Sequence, residues 1–269
     1  SGIAEIFWRQ GHLVSGSDLQ SSEQTDRLIA NGAKIFIGHS ASNVTAGIQT
    51  VVVSSAVKPD NPEYAEAKRL KIPVVPRAEI LAEILRGKKG ITIAGTHGKT
   101  TTTSMVAQVL MQAELDPTVV VGGKVEAMGS NAKYGQGNTV VAEADESDGS
   151  FLLLPATYTV VTNIDFDHME YYRTQERLDE AFVQFVKNIP FYGCAWLCGD
   201  DAGVRRILPE LSKPYQTYGF DSKNDLVATG VKTDGRTLSA QLSYYGKPLG
   251  ELVLNVLGRH NLLNALSAE

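Results

Sequence analysis

The chain has 269 residues, 43% of them hydrophobic and 20% charged, with a formal net charge of −5 at pH 7. That length exceeds the usual single-domain size and predicts two domains, while the net negative charge offers no general attraction to nucleic acid or to an anionic membrane surface. No apolar run approaches the roughly 20 residues needed to cross a bilayer and no charged-then-apolar signal opens the chain, so the sequence reads as a cytoplasmic protein acting on small molecules, without nucleic-acid or membrane partners.

The first segment, "SGIAEIFWRQG", has helical character from its start. In a doubly wound fold such a helix follows a strand and a glycine-rich turn, so Ser1 and Gly2 read as the tail of that turn, with the first strand and its loop expected to be missing. Four apolar, β-branched runs follow, "HLVSGSD", "KIFIGH", "TVVVSSAV" and "IPVVPR", separated by helix-like segments such as "SSEQTDRLIANG" and "NPEYAEAKRL". This alternation predicts βα repetition and a parallel sheet. "RGKKG" at 86–90, polar and glycine-flanked, reads as a linker. The fold class is therefore α/β, with a Rossmann-like parallel-sheet domain over 1–87 and a second α/β domain over 88–269. The second begins with the strand "ITIAG" and continues through "PTVVVGG", "TVVAEAD", "YTVVTNID" and "CAWLCGD". Cys194 and Cys198 share a strand face but lie roughly 13 Å apart along it, which predicts two buried thiols, neither a disulfide nor a metal site. "LSAQLSYYGKPLGELVLNVLG" alternates around Gly246 to Gly250 as a small antiparallel hairpin. The last segment, "GRHNLLNALSAE", opens a helix that stops after about two turns, short of the usual ~11 residues, and a further domain is expected beyond it.

The chemistry concentrates at strand ends. In "ITIAGTHGKTTTTSMVAQVL" a strand runs into Gly95, Thr96, His97 and Gly98, then Lys99, Thr100, Thr101 and a helix. Glycines let such a turn wrap an anion, the helix N-terminus points unpaired N–H groups at it, lysine adds a charge, and the Thr100 hydroxyl suits Mg²⁺. The spacing departs from the usual eight-residue P-loop, because Ile93 stands where its first glycine belongs. "TVVAEADESDGSF" brings Glu143, Asp145, Glu146 and Asp148 to the same sheet edge, and Glu143, on the strand end, is the best candidate metal carboxylate. "VVTNIDFDHMEYY" adds Asn163, Asp165, Asp167 and His168, whose neutral imidazole can ligate a divalent metal. In "LGRHNLLNAL", His260 and Asn264 are four apart on one helix face, a ring and an amide suited to a purine. In the first unit, Ser17 and Asp18 end one strand, at the position expected to reach a ribose hydroxyl, and His39, Ser54 and Ser55 end later ones; together they outline a small polar ligand site.

Taken in order, "GTHGKTTTTSM", "EADESDGSF", "VTNIDFDHM" and "GRHNLLNAL" resemble the Mur ligase family, and "VSGSDL" with "VVVSSAV" are similar to the substrate domain of its L-alanine-adding branch. A sister branch that attaches a ready-made peptide usually carries tyrosine where this chain has Ser147, which favours the L-alanine branch. The resemblance implies an amide ligase using ATP with Mg²⁺ or Mn²⁺, and UDP-N-acetylmuramate and L-alanine as substrates, through an acyl phosphate. It implies that residues 95 to 101 and Asn163 hold the nucleotide, that Lys99, Glu143 and His168 are catalytic, and that Thr100 and Glu143 share one metal while His168 serves a second. His260 and Asn264 would contact adenine, and Ser17, Asp18, His39, Ser54 and Ser55 the UDP part. The family's C-terminal amino-acid domain is absent from this sequence, so the chain alone is expected to bind nucleotide weakly and not to turn over. A sister ligase or a non-catalytic P-loop module are the competing readings.

Overall fold

The structure is a computed structural model in which residues 2–125 and 130–269 are described. Helix α1 (Gly2–Arg9) is followed by β1 (Ser15–Asp18), α2 (Glu23–Ala30), β2 (Lys34–Ile37), β3 (Val51–Val53), α3 (Pro62–Arg69), β4 (Val74–Pro76) and α4 (Arg77–Leu85). Local chemistry sets the helix starts. Ser22 caps α2 in a reciprocal box with Thr25, and Asn61 accepts from the amides of Glu63 and Tyr64 ahead of Pro62 at the start of α3.

The strands of this region form two separate parallel pairs, β1 with β2 and β3 with β4, among the described residues. The alternation in the sequence predicts the parallel direction but also one continuous sheet. With three or four residues each and no fully buried side chain, these strands bury too little to enforce a wider ladder.

The second region supplies β5 (Lys89–Ala94), α5 (Lys99–Gln112), β6 (Thr118–Val125), β7 (Ser130–Lys133), β8 (Thr139–Glu143), β9 (Tyr158–Val161), α6 (Met169–Tyr172), α7 (Gln175–Lys187) and β10 (Cys194–Cys198). It closes with α8 (Ala202–Ile207), β11 (Tyr215–Gly219), β12 (Leu226–Thr233), β13 (Leu238–Tyr244), β14 (Lys247–Leu254) and α9 (Arg259–Leu266). Ten strands make one sheet in the order β14-β13-β12-β11-β10-β9-β5-β8-β6-β7. From β6 through β12 every neighbouring pair is parallel, while β7 and the β13–β14 hairpin run antiparallel at the two edges. The hairpin turns at Tyr245 and Gly246, both at positive φ, as a tight two-residue hairpin requires. The linker is shorter than "RGKKG" implies, because Lys89 and Gly90 already belong to β5.

Both faces of the sheet are covered, and the strands alternate between them as the pleat dictates. Ile93, Val141 and Val160 pack with Val106, Leu262 and Leu266 under α5 and α9. Ala94, Val140, Ala142 and Val161 pack the other way, with Phe151, Phe182 and Val186. That second cluster also takes in Ile3 and Ile6 of α1 and Leu81, Ile84 and Leu85 of α4, so two helices from the first 87 residues are built into the core of the large sheet. Cys194 and Cys198 are both free thiols; Cys198 is buried as expected, whereas Cys194 is only half-buried.

Candidate active site

Strand β5 lies between β8 and β9, and successive connections leave it toward opposite sides. In open α/β sheets the crevice beyond the carboxyl ends of strands at such a reversal is where ligands collect. Three segments converge there: residues 95–98 after β5, the carboxylate-rich stretch after β8, and the segment after β9.

The loop after β5 is shaped by its neighbours. Gly95 has φ +132, with Thr162 and the backbone of Asn163 directly against it. Gly98 caps α5 at φ +85 and supplies no side-chain cap, which leaves the first amides of a 14-residue helix free for an anion. The segment after β9 grips the loop from the side. Asn163 receives the His97 amide on Oδ1 at 2.8 Å and donates Nδ2 to the His97 carbonyl at 2.9 Å. Thr162 Oγ1 donates to the same carbonyl at 2.7 Å, and the Asp165 amide donates to Thr96 Oγ1 at 3.0 Å. Asn163 therefore acts on the loop itself. A cleft of about 320 Å³ is lined by the stretch from Thr96 to Thr101 together with Glu143.

Lys99 and Thr100 meet different carboxylates. Thr100 Oγ1 donates to Glu143 Oε2 at 3.0 Å, and the Gly122 amide donates to the same oxygen at 2.8 Å. This hydroxyl and carboxylate are hard oxygen donors of the kind Mg²⁺ takes from protein alongside phosphate and water. Lys99 Nζ donates to Gly95 O at 2.7 Å, to Thr96 O at 3.4 Å and to Glu146 Oε1 at 2.9 Å. His168, the left-handed residue that starts α6, brings Nε2 within 3.4 Å of that same Glu146 oxygen. Lys99 and His168 are thus gathered at one edge, but through Glu146, with Glu143 one residue along on Thr100.

The sequence brings Glu146 to this edge among several carboxylates but singles out Glu143. Asp145 and Asp148, chain neighbours of Glu146, cap local turns, accepting from the Ser147 and Ser150 amides. Glu146 instead is fully buried, and its Oε2 has no hydrogen-bond partner. Among the described residues no group of three or more His, Cys, Asp or Glu side chains forms a ready metal cage.

Asn264 and His260 both lie in α9, four residues apart, and differ in exposure. Asn264 is buried, and a methyl on Gly98 would meet its Oδ1 at 2.7 Å, so it lies over the loop after β5. His260 is exposed at the start of α9, its ring folded back against Gly258.

In the first unit Ser17, His39 and Glu63 form a cluster. Ser17 Oγ donates to Glu63 Oε2 at 2.5 Å and lies 2.9 Å from His39 Nδ1, while Asn43 Nδ2 donates to Glu63 Oε1 at 2.6 Å. Burial pushes the Glu63 carboxyl up, but the donors Ser17, Asn43 and the Ser40 amide, with His39 beside them, outweigh it and hold the pKa below 4.5. Glu63 lies on α3 and not at a strand end, and no spacing signal marks it. Asp18, Ser54 and Ser55 are exposed outside this cluster.

The comparisons with known proteins bear on the whole chain. The Mur ligase family catalytic domain matches residues 1–110, and the Mur ligase middle domain matches residues 93–269. The chain is 54% identical over 268 residues to UDP-N-acetylmuramate--L-alanine ligase of Trichlorobacter lovleyi, with 99% of the chain and 59% of that protein covered. The chain thus spans less than two thirds of the length of that relative. Among solved structures, UDP-N-acetylmuramate-alanine ligase from Thermotoga maritima superposes with a TM-score of 0.86 at 31% identity, over 99% of this chain and 60% of that one. UDP-N-acetylmuramate:L-alanyl-gamma-D-glutamyl-meso-diaminopimelate ligase from Neisseria meningitides gives a TM-score of 0.89 at 26% identity, over 99% and 87%. Matched by two family models that together span residues 1–269, the chain belongs to the Mur ligase family.

Proposed function

We propose that this chain carries the nucleotide and UDP-substrate sites of an ATP-dependent ligase that joins L-alanine to UDP-N-acetylmuramate in peptidoglycan precursor synthesis, in the cytoplasm. The observation that carries the reading is the meeting of the Lys99–Thr100 pair, at the uncapped start of α5, with Glu143 and Glu146 from β8 and its following loop. Among solved structures the identity is 31% to one named for alanine against 26% to one named for a tripeptide, which favours the amino-acid substrate.

The division of labour follows from the chemistry. A carboxylate is a poor electrophile, and phosphorylating it creates a leaving group that an amine can displace. Transfer of the γ-phosphoryl group depends on alignment and neutralisation of charge. The loop amides and Lys99 would hold the phosphates, with Thr101, Asn264 and His260 on the nucleotide side and Asn163 fixing the loop beneath it. Thr100 with Glu143, and His168 at a second position, would hold Mg²⁺ or Mn²⁺. Such a cation, when bound, supplies neutralisation of the phosphate oxygens. Residues 1–87 would bind the UDP part through Ser17 and His39, with Asp18, Ser54 and Ser55 at neighbouring strand ends, and residues 88–269 would bind ATP.

The test is product analysis by mass spectrometry with the full-length protein, Mg-ATP and UDP-N-acetylmuramate, offering L-alanine or the tripeptide. The expected product is the L-alanyl adduct. A tripeptide adduct alone would assign the sister activity, and phosphate release indifferent to both acceptors would overturn ligation in favour of a simple phosphate-loop module.

A further inference from the structure

Lys99 and His168 share a partner that the reaction chemistry does not itself demand. The Lys99 side chain is only 15% exposed and Glu146 only 1%. An ammonium has three N–H donors, and here all three are committed, two to loop carbonyls and one to Glu146. A carboxylate buried this deeply is tolerated only with a paired charge. Its backbone is also fixed, because the Glu146 carbonyl accepts from the Gly149 amide at 3.1 Å and from the hydroxyl of buried Tyr172.

We propose that Glu146 is the positioning residue of this site, a rigid counter-charge that keeps Lys99 and His168 in register for phosphoryl transfer. The lysine's longest bond, 3.4 Å to Thr96 O, is the one it gives up when a phosphate oxygen arrives. Its bond to Glu146 stays, so the ammonium turns about a fixed point. The same oxygen, 3.4 Å from His168 Nε2, ties the segment after β9 to the loop after β5. Glu146 contacts Lys99 and His168 and acts through them.

This inference rests on the ligase reading, and the experiment separates the two. In the full-length protein, Glu146→Gln keeps the shape and removes the charge. The expected result is a fall in kcat of about 10- to 100-fold, the range for a group that orients the residues in direct contact, with the calorimetric Kd for Mg-ATP unchanged or tighter because a negative charge has left the site. Turnover within about threefold of the parent, or a Kd weakened in proportion to kcat, would overturn the positioning role. Should the Gln variant fail to fold, Glu146→Asp keeps the charge but withdraws it by one methylene, and the same split between kcat and Kd is expected. Lys99→Ala in parallel addresses the underlying reading: if that variant is inactive while Glu146→Gln is normal, only the positioning role falls.

Discussion

Replacing Gly95 by alanine tests the shape of the phosphate loop through stability alone. Its φ of +132 lies in backbone territory where a side chain costs about 1–3 kcal/mol. The added Cβ would also overlap Thr162 Oγ1 and lie 3.0 Å from both the amide nitrogen and the carbonyl oxygen of Asn163. Those atoms cannot withdraw freely, because the Thr162 amide is bonded to Ala94 O and the Asn163 carbonyl to the Thr96 amide. Overpacking of this kind adds about 1–3 kcal/mol, giving a total of about 2–6 kcal/mol and a fall in melting temperature of at least about 4 °C for a chain of this size. Scanning calorimetry of Gly95→Ala should be read beside Gly235→Ala, a control at φ +88 with nothing within 4 Å of the new methyl, which carries only the backbone cost of about 1–2 kcal/mol. A Gly95→Ala decrement no larger than that of the control would refute the claim that the end of β9 presses on the loop.

Lys99→Ala in the full-length protein should lower kcat/KM by about 100-fold or more through lost stabilisation of phosphoryl charge; steady-state ADP release close to that of the parent would remove Lys99 from the mechanism. Glu63 titrates below 4.5 in the fold, burial being outweighed by its donors, so its contribution is present above the unfolded pKa and lost as pH falls through the folded one. The melting-temperature deficit of Glu63→Gln should therefore shrink on acidification, and a deficit independent of pH would contradict the assigned network. Burial pushes the Cys198 thiol up to about 11 and Cys194 upward as well, so a thiol-disulfide reagent near pH 8 should react slowly with the native protein and leave Cys198 until last. Rapid labelling of Cys198 before unfolding would argue against its burial.

The strand–turn–helix around Lys99 was legible because strand, glycine, lysine and helix are contiguous, and each constrains the next. Glu143 was legible for a related reason, since it ends a strand whose pleat places it on the ligand-bearing edge. Glu146 was not. Three carboxylates crowd one short segment, and only the fold shows that two of them cap turns while the third is sealed under Lys99. Glu63 was hidden for the opposite reason, standing on an unremarkable helix whose approach to Ser17 and His39 is a tertiary event. Strands β7, β11 and β12 carry polar or glycine-broken sequences, "SNAK", "YQTYG" and "LVATGVKT", whose strand state comes from neighbours offering open ladders rather than from their own alternation.

The packing of α1 and α4 into the core under the large sheet sets how the molecule can come apart. Ile6 and Leu85 are 0% and 1% exposed there, among side chains from β8, β9 and α7, and stripping out one such aliphatic group costs about 2–5 kcal/mol. Swinging these helices away as a rigid flap would forfeit several such groups at once, so they should melt in the same cooperative step as the sheet. The thinly covered pairs β1–β2 and β3–β4 lack that anchorage, and their amide protons should be the first to trade with heavy water.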